Sequence, residues 1–230
     1  MNLIRKGHRH TNRGIIGIES AIVLIAFVIV AAALAFVVLN MGFSTTQKAK
    51  TAIIAAYEEA GSSLEVAGKI TAAGDVNNNV LNATTIPLKI VSGGASANLD
   101  CNFTSVKIIT SDIEYDNVYT NGPIFVGTFV NATEAWQYAE TNNWICAGCN
   151  PYNGTSNPVQ TIAIIYWTVN QNDNPILDIG EHVQLSVGYA VDDRPSSLDY
   201  TAFEIVTPKG APLTVDRTVP NITTRIVDLG

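Results

Sequence analysis

Apolar residues run from Ile15 to Phe43 with only Gly17, Glu19, Ser20, Asn40 and Gly42 interrupting them. As one helix this stretch reaches about 43 Å, longer than the roughly 30 Å hydrocarbon core of a bilayer. It is apolar on every side, so lipid or other protein must surround it. Residues 44–60 then mix good helix formers with polar residues, and Ile53, Ile54 and Tyr57 keep helical spacing. The helix is expected to continue into water here and to end near residue 70, weakened by Gly61, Gly68 and Gly74. The Asn- and Thr-rich segment VNNNVLNATT that follows suggests a linker over 71–85.

From Pro87 onward the period shifts to two. Cys101, Phe103 and Ser105 alternate with Asn102 and Thr104, and Val183, Leu185, Val187 and Tyr189 alternate with polar or small residues. These are strands with one buried face. TIAIIYWTV (161–169) is apolar throughout and predicts a central strand, TEAWQYAET (133–141) a short helix, and Pro208-Lys209-Gly210 a turn between strands. A long helix followed by many short strands forms two packing units. The expected class is α+β: an N-terminal helix and then an antiparallel β-sandwich, immunoglobulin-like, over 86–230.

The first 14 residues carry Arg5, Lys6, Arg9 and Arg13 and no acidic residue. Two readings compete. In one the apolar helix is a single-pass anchor held by the positive-inside rule. In the other the leader is a prepilin-type signal, cut on the cytoplasmic side so that the apolar helix stays in the mature protein. An ordinary secretory signal is cut after its apolar region instead. Glu19 bears on the choice, because a carboxylate near a membrane helix is costly and a plain anchor has no use for it.

Arg13-Gly14 followed by IIGIE resembles the processing site of archaellins, the archaeal flagellins built on a type IV pilin plan. The apolar helix after it and the closing segment FEIVTPKGAPLTVDRTVPNITTRIVDLG are also similar to that family. The resemblance implies cleavage between Gly14 and Ile15 by a prepilin-type signal peptidase, and a filament core of packed helices from identical or similar subunits. It also implies an outward-facing sandwich and a cytoplasmic motor and assembly platform. Gly17 and Glu19 become assembly residues on this view, and the product is an extracellular swimming filament formed after a membrane-inserted stage. An archaeal adhesion pilin is the alternative within the class, and a single-pass cell-surface binding protein the alternative outside it.

Charge sharpens the exclusions. The formal net charge is −7, and without the four leader cations nine basic residues face 20 acidic ones, giving −11. No basic patch survives to track a phosphate backbone, which argues against nucleic acid. An acidic surface suits solubility and mutual repulsion. GxSxG, HExxH and P-loop motifs are absent from the sequence. His182, the only histidine beyond the leader, lies on an expected strand, where a structural role is the common one. No enzyme and no cofactor are expected.

Three smaller features remain. The loop NQNDNP (170–175) carries oxygen donors of the kind calcium takes, although a polar turn explains it as simply, and Asp192-Asp193 is a weaker signal of the same kind. Cys146-Ala147-Gly148-Cys149 lacks the second cysteine pair that makes a zinc site convincing. In an exported chain a disulfide from Cys101 to one of that pair is the leading expectation, with free thiols and redox or metal chemistry behind it. Finally, Asn82, Asn102, Asn131, Asn153 and Asn221 each begin an Asn-X-Thr sequon, and none occurs in the first 70 residues. Their placement points to a glycan-coated outer domain.

Overall fold

The computed structural model describes residues 13–60, 64–119, 125–153 and 157–230. Contacts divide the chain into two units, 1–55 and 56–230. The first is built on α1 (Arg13–Ala60), 48 residues in one unbroken helix of about 72 Å. No proline interrupts it. Its many Val and Ile residues are poor helix formers in water. In an apolar medium the backbone has only itself to bond to, and the helix becomes the favoured state. Where the sequence turns polar, the hydroxyls of Thr45 and Thr46 donate to the carbonyls of Met41 and Gly42, both at 2.8 Å.

The second unit contains β1 (Leu64–Val66), β2 (Thr71–Asp75), β3 (Val80–Ile90), β4 (Ala97–Asn98), β5 (Ser105–Thr110), β6 (Glu114–Tyr115) and β7 (Phe125–Thr128). After α2 (Ala132–Thr141) come β8 (Ile162–Val169), β9 (Ile176–Leu177), β10 (His182–Gly188), β11 (Tyr200–Val206), β12 (Leu213–Thr218) and β13 (Ile226–Asp228). A seven-stranded sheet has the order β13-β2-β3-β10-β8-β7, with β1 also paired to β3. A four-stranded sheet has the order β12-β11-β5-β6, and β4 pairs with β9. Pairing is antiparallel except between β7 and β8. The second unit is therefore mostly antiparallel β-sheet and follows a long apolar helix in the chain, as the sequence predicts.

One core gathers the facing sides of the two large sheets. Ile86 and Leu88 of β3, Val183 and Leu185 of β10, Val106 and Ile108 of β5, and Phe203 and Ile205 of β11 are all buried in it. A second core lies on the other face of the seven-stranded sheet, where α2 sets Ala135, Trp136 and Ala139 against Ile164 and Tyr166. Strand β8 explains its own sequence: Ala163, Ile165 and Trp167 enter the first core, and Ile164 and Tyr166 the second. A strand covered on both faces reads as a continuous apolar run.

Three stretches differ from expectation. The strand expected from Cys101 is a turn over 101–103, with Phe103 exposed and Thr104 buried, and β5 begins only at Ser105. The helix ends at Ala60 rather than near 70, and Leu64–Val66 is already a strand paired with β3. The expected linker over 71–85 is instead a hairpin of β2 and β3. The Asp75 carboxylate accepts from the backbone N–H of Asn77 and Asn78, and Asn79 takes a positive φ to close the turn. Thr84 and Thr85 are buried polar residues of β3. The Thr84 hydroxyl pairs with that of Tyr189, and the Thr85 hydroxyl with that of Tyr152. A polar stretch can form an interior strand when each hydroxyl finds such a partner.

Candidate assembly surface and modification sites

Every described side chain of α1 from Ile18 to Tyr57 is exposed in the single chain, among them Phe27 at 77% and Phe36 at 70%. No charged residue stands between Glu19 and Lys48. An exposed apolar surface of this extent must be covered by something outside the chain. By length and composition the helix can also cross a membrane, with a mean hydropathy of 3.4 in its most apolar window. An added Cβ at Gly17 or Gly42 would meet nothing within 4 Å, so neither glycine is required by packing inside the chain. Their lack of a side chain leaves room for close approach by another helix. Glu19 is exposed, one turn beyond Ile15. Gly14 and Ile15 fall within the helical backbone of α1, and the Ile15 side chain lies outside the described residues.

The five sequons are not equivalent. Asn102, Asn131, Asn153 and Asn221 are exposed. Gly154 and Thr155, the rest of the Asn153 sequon, lie outside the described residues. Asn131 caps α2: its side-chain oxygen accepts the Glu134 N–H at 2.9 Å, and the Glu134 carboxylate accepts the Val130 N–H at 3.0 Å. Asn102 donates its amide to Asp100 at 2.7 Å. Asn82 is half-buried. Its oxygen accepts from Arg194 at 3.3 Å and from Asn157 at 3.4 Å, while Thr84 in the same sequon is fully buried.

The cysteine expectation is corrected. The disulfide joins Cys146 to Cys149, with Cα atoms 5.3 Å apart, and Cys101 lies outside it. The loop after α2 turns tightly enough for this, through Gly148 at φ +77° and a bond from its N–H to the Glu140 carboxylate. Closing so short a loop restricts the unfolded chain by about 2 kcal/mol. The double variant Cys146→Ser/Cys149→Ser is therefore expected to lower the unfolding temperature of the outer domain by roughly 4–8 °C, measured by thermal unfolding.

The loop at 170–175 behaves as a polar turn. Asn170 accepts from the N–H groups of Asn172 and Asp173, and Asn174 accepts from Ile176. Glu181, buried at 1% exposure, accepts from the N–H groups of Gln171 and Asp178. Asp193 accepts from the hydroxyls of Tyr115 and Thr161. Among the described residues no group of three or more His, Cys, Asp or Glu comes together as a metal site.

Sequence reasoning missed a groove beside the start of α2. It is bordered by both Asn131 and Asn153 and floored by Thr85 and Tyr152. Desolvation raises the Tyr152 phenol above its ordinary pKa, against the lowering effect of its bonds to Ser186 and Thr85. It therefore stays a neutral hydrogen-bonding group. Only the fold brings these residues together, and no spacing along the chain signals it.

Comparison with known proteins accords with this architecture. The family model for archaeal-type flagellin matches residues 14–217. The chain is 37% identical over 215 residues to a probable flagellin of Aeropyrum pernix, covering 90% of this chain and 92% of the relative. Its fold is similar to the crystal structure of archaeal flagellin FlaB1 from Methanocaldococcus jannaschii, with a TM-score of 0.54 at 14% identity, covering 74% and 97% of the two chains. It is also similar to a subunit of the archaeal flagellum of Methanospirillum hungatei, with a TM-score of 0.51 at 21% identity and coverage of 92% and 98%. The chain belongs to the archaeal-type flagellin family.

Proposed function

We propose that this structural filament subunit polymerises through α1 after its leader is cut between Gly14 and Ile15, and that the product is an extracellular swimming filament. The observation that carries the reading is the helix: 48 residues long, with every described side chain from Ile18 to Tyr57 exposed in the single chain. In the precursor, lipid covers this surface. After cleavage, identical helices cover it instead, and a head-to-tail contact that does not close gives an open helical filament. Family membership favours swimming over adhesion. A prepilin-type peptidase, a motor and an assembly platform are the partners this requires.

The test is the N-terminus of the mature protein in isolated surface filaments. Mass spectrometry is expected to find Ile15 first. Filament subunits that retain Met1 to Gly14 would return the chain to the single-pass reading.

The outer domain is also proposed to carry N-linked glycans. Four of the five sequon asparagines are exposed, which is the geometry an attached sugar needs. Glycopeptide mass spectrometry is expected to find at least two of Asn82, Asn102, Asn131, Asn153 and Asn221 modified. All five bare would end this proposal and leave the filament reading intact.

A further inference from the structure

We propose that the groove beside the start of α2 seats the N-linked glycan borne on Asn131, so that the sugar becomes a packed part of the outer domain. This rests on the proposed glycosylation of the domain. The groove has a volume of about 610 Å³, within the range of small-ligand clefts. Its walls come from the start of α2, from β2 and β3, from Gln184 of β10, and from Arg225 and Ile226. Asn131 is itself part of the wall, so a glycan on it begins at the groove.

The lining suits a sugar. A pyranose ring offers apolar C–H faces and hydroxyl edges. Ile226 at 74% exposure and Val130 at 87% provide uncovered apolar surface beside the groove's polar residues. Gln184 and Asn153 supply amides for the hydroxyls. Among the described residues of the lining Arg225 is the only charged one, and its guanidinium donates to the Tyr152 carbonyl, which ties it to the groove wall. A fixed guanidinium favours a hydroxyl pair or the carboxylate of an acidic sugar.

The cap on α2 is compatible with attachment. Capping uses the side-chain oxygen of Asn131, and the glycosidic bond uses its nitrogen. In that step Nδ2 forms a C–N bond to the anomeric carbon of a glycosyl-phosphate donor. The C–O bond to phosphate breaks, the phosphate leaves with the electron pair, and the proton lost from Nδ2 passes to the departing phosphate. Asn131 is extended at φ −155° as the cap, a conformation that attachment at Nδ2 does not require it to leave.

The experiment uses the full-length glycosylated subunit dissociated from filaments in detergent. Glycopeptide mass spectrometry first establishes occupancy of Asn131, with Thr133→Ala, which leaves the Asn131 cap in place, as the unglycosylated control. An exoglycosidase is then applied to native and to unfolded chains. Seating predicts trimming of the Asn131 glycan roughly tenfold slower in the native chain. Arg225→Ala and, separately, Ile226→Ser are expected to bring the two rates within about twofold while occupancy is unchanged. Equal trimming in native and unfolded wild-type chains, or protection untouched by both variants, overturns the seating and leaves glycosylation standing. A bare Asn131 overturns the seating from its premise.

Discussion

Subunits carrying Glu19→Ala are expected to be cleaved and folded but to give few filaments, or short and fragile ones. The proposed cleavage would leave a new α-amino group on Ile15, protonated at neutral pH because its reference pKa is about 7.7–8.0. Glu19 lies four residues on, one helical turn away, and no other charged side chain follows until Lys48. In an assembly of apolar helices the carboxylate can neutralise its own terminus or that of a neighbour. Removing one member of a buried pair costs about 3–5 kcal/mol. That lowers the association constant per subunit by roughly two to four orders of magnitude. The competing account is a solvated carboxylate favoured by the helix dipole, and it predicts a change of only a few tenths of a kcal/mol. The three tryptophans, Trp136, Trp144 and Trp167, all lie in the outer domain. Their fluorescence during urea unfolding therefore reports that domain alone and is expected to be unchanged. Normal filament yield from the variant would defeat the pairing.

Trp136→Ala is expected to produce the largest loss of outer-domain stability. Trp136 is fully buried, and its indole N–H donates to Ser186 at 2.8 Å. Removing such a ring costs about 3–5 kcal/mol, on the order of 10 °C in unfolding temperature for a domain of this size. Gly188 makes the contact specific. A Cβ there would sit 2.6 Å from the Trp136 ring, so Gly188→Ala should also destabilise the domain. The two changes touch the same space, and the double variant should lose less than the sum of the single losses. Exposed Gln137 on the same helix provides the control: Gln137→Ala should stay within about 0.5 kcal/mol. Additive losses in the double variant would show that the ring does not fill the space beside Gly188.

How much of this was legible in the sequence depended on whether a residue's neighbours lay along the chain or across the fold. The apolar run of α1, the strands β8 and β10, the helix α2 and the turn at 208–210 are local patterns, and each stands in the structure. The β2–β3 hairpin was hidden because Thr84 and Thr85 look like linker residues until Tyr189 and Tyr152, far along the chain, supply their hydroxyl partners. Cysteine pairing was hidden for a related reason. Three cysteines give three pairings, and only the turn at Gly148 selects Cys146–Cys149. The groove is the extreme case, since its walls come from segments spread between Thr71 and Ile226.

The half-buried sequon at Asn82 carries a consequence for the order of events in the life of the chain. Its carboxamide is engaged by Arg194 and Asn157, and its threonine is sealed beneath Tyr189. In the finished domain both the asparagine and its threonine are withdrawn from solvent at this site, whereas at the other four the asparagine is exposed. A sugar found on Asn82 was therefore installed before β3 joined its sheet, while an empty Asn82 beside occupied neighbours means that folding came first. One residue thus keeps a record of which reached the nascent chain sooner, the modifying enzyme or its own tertiary structure.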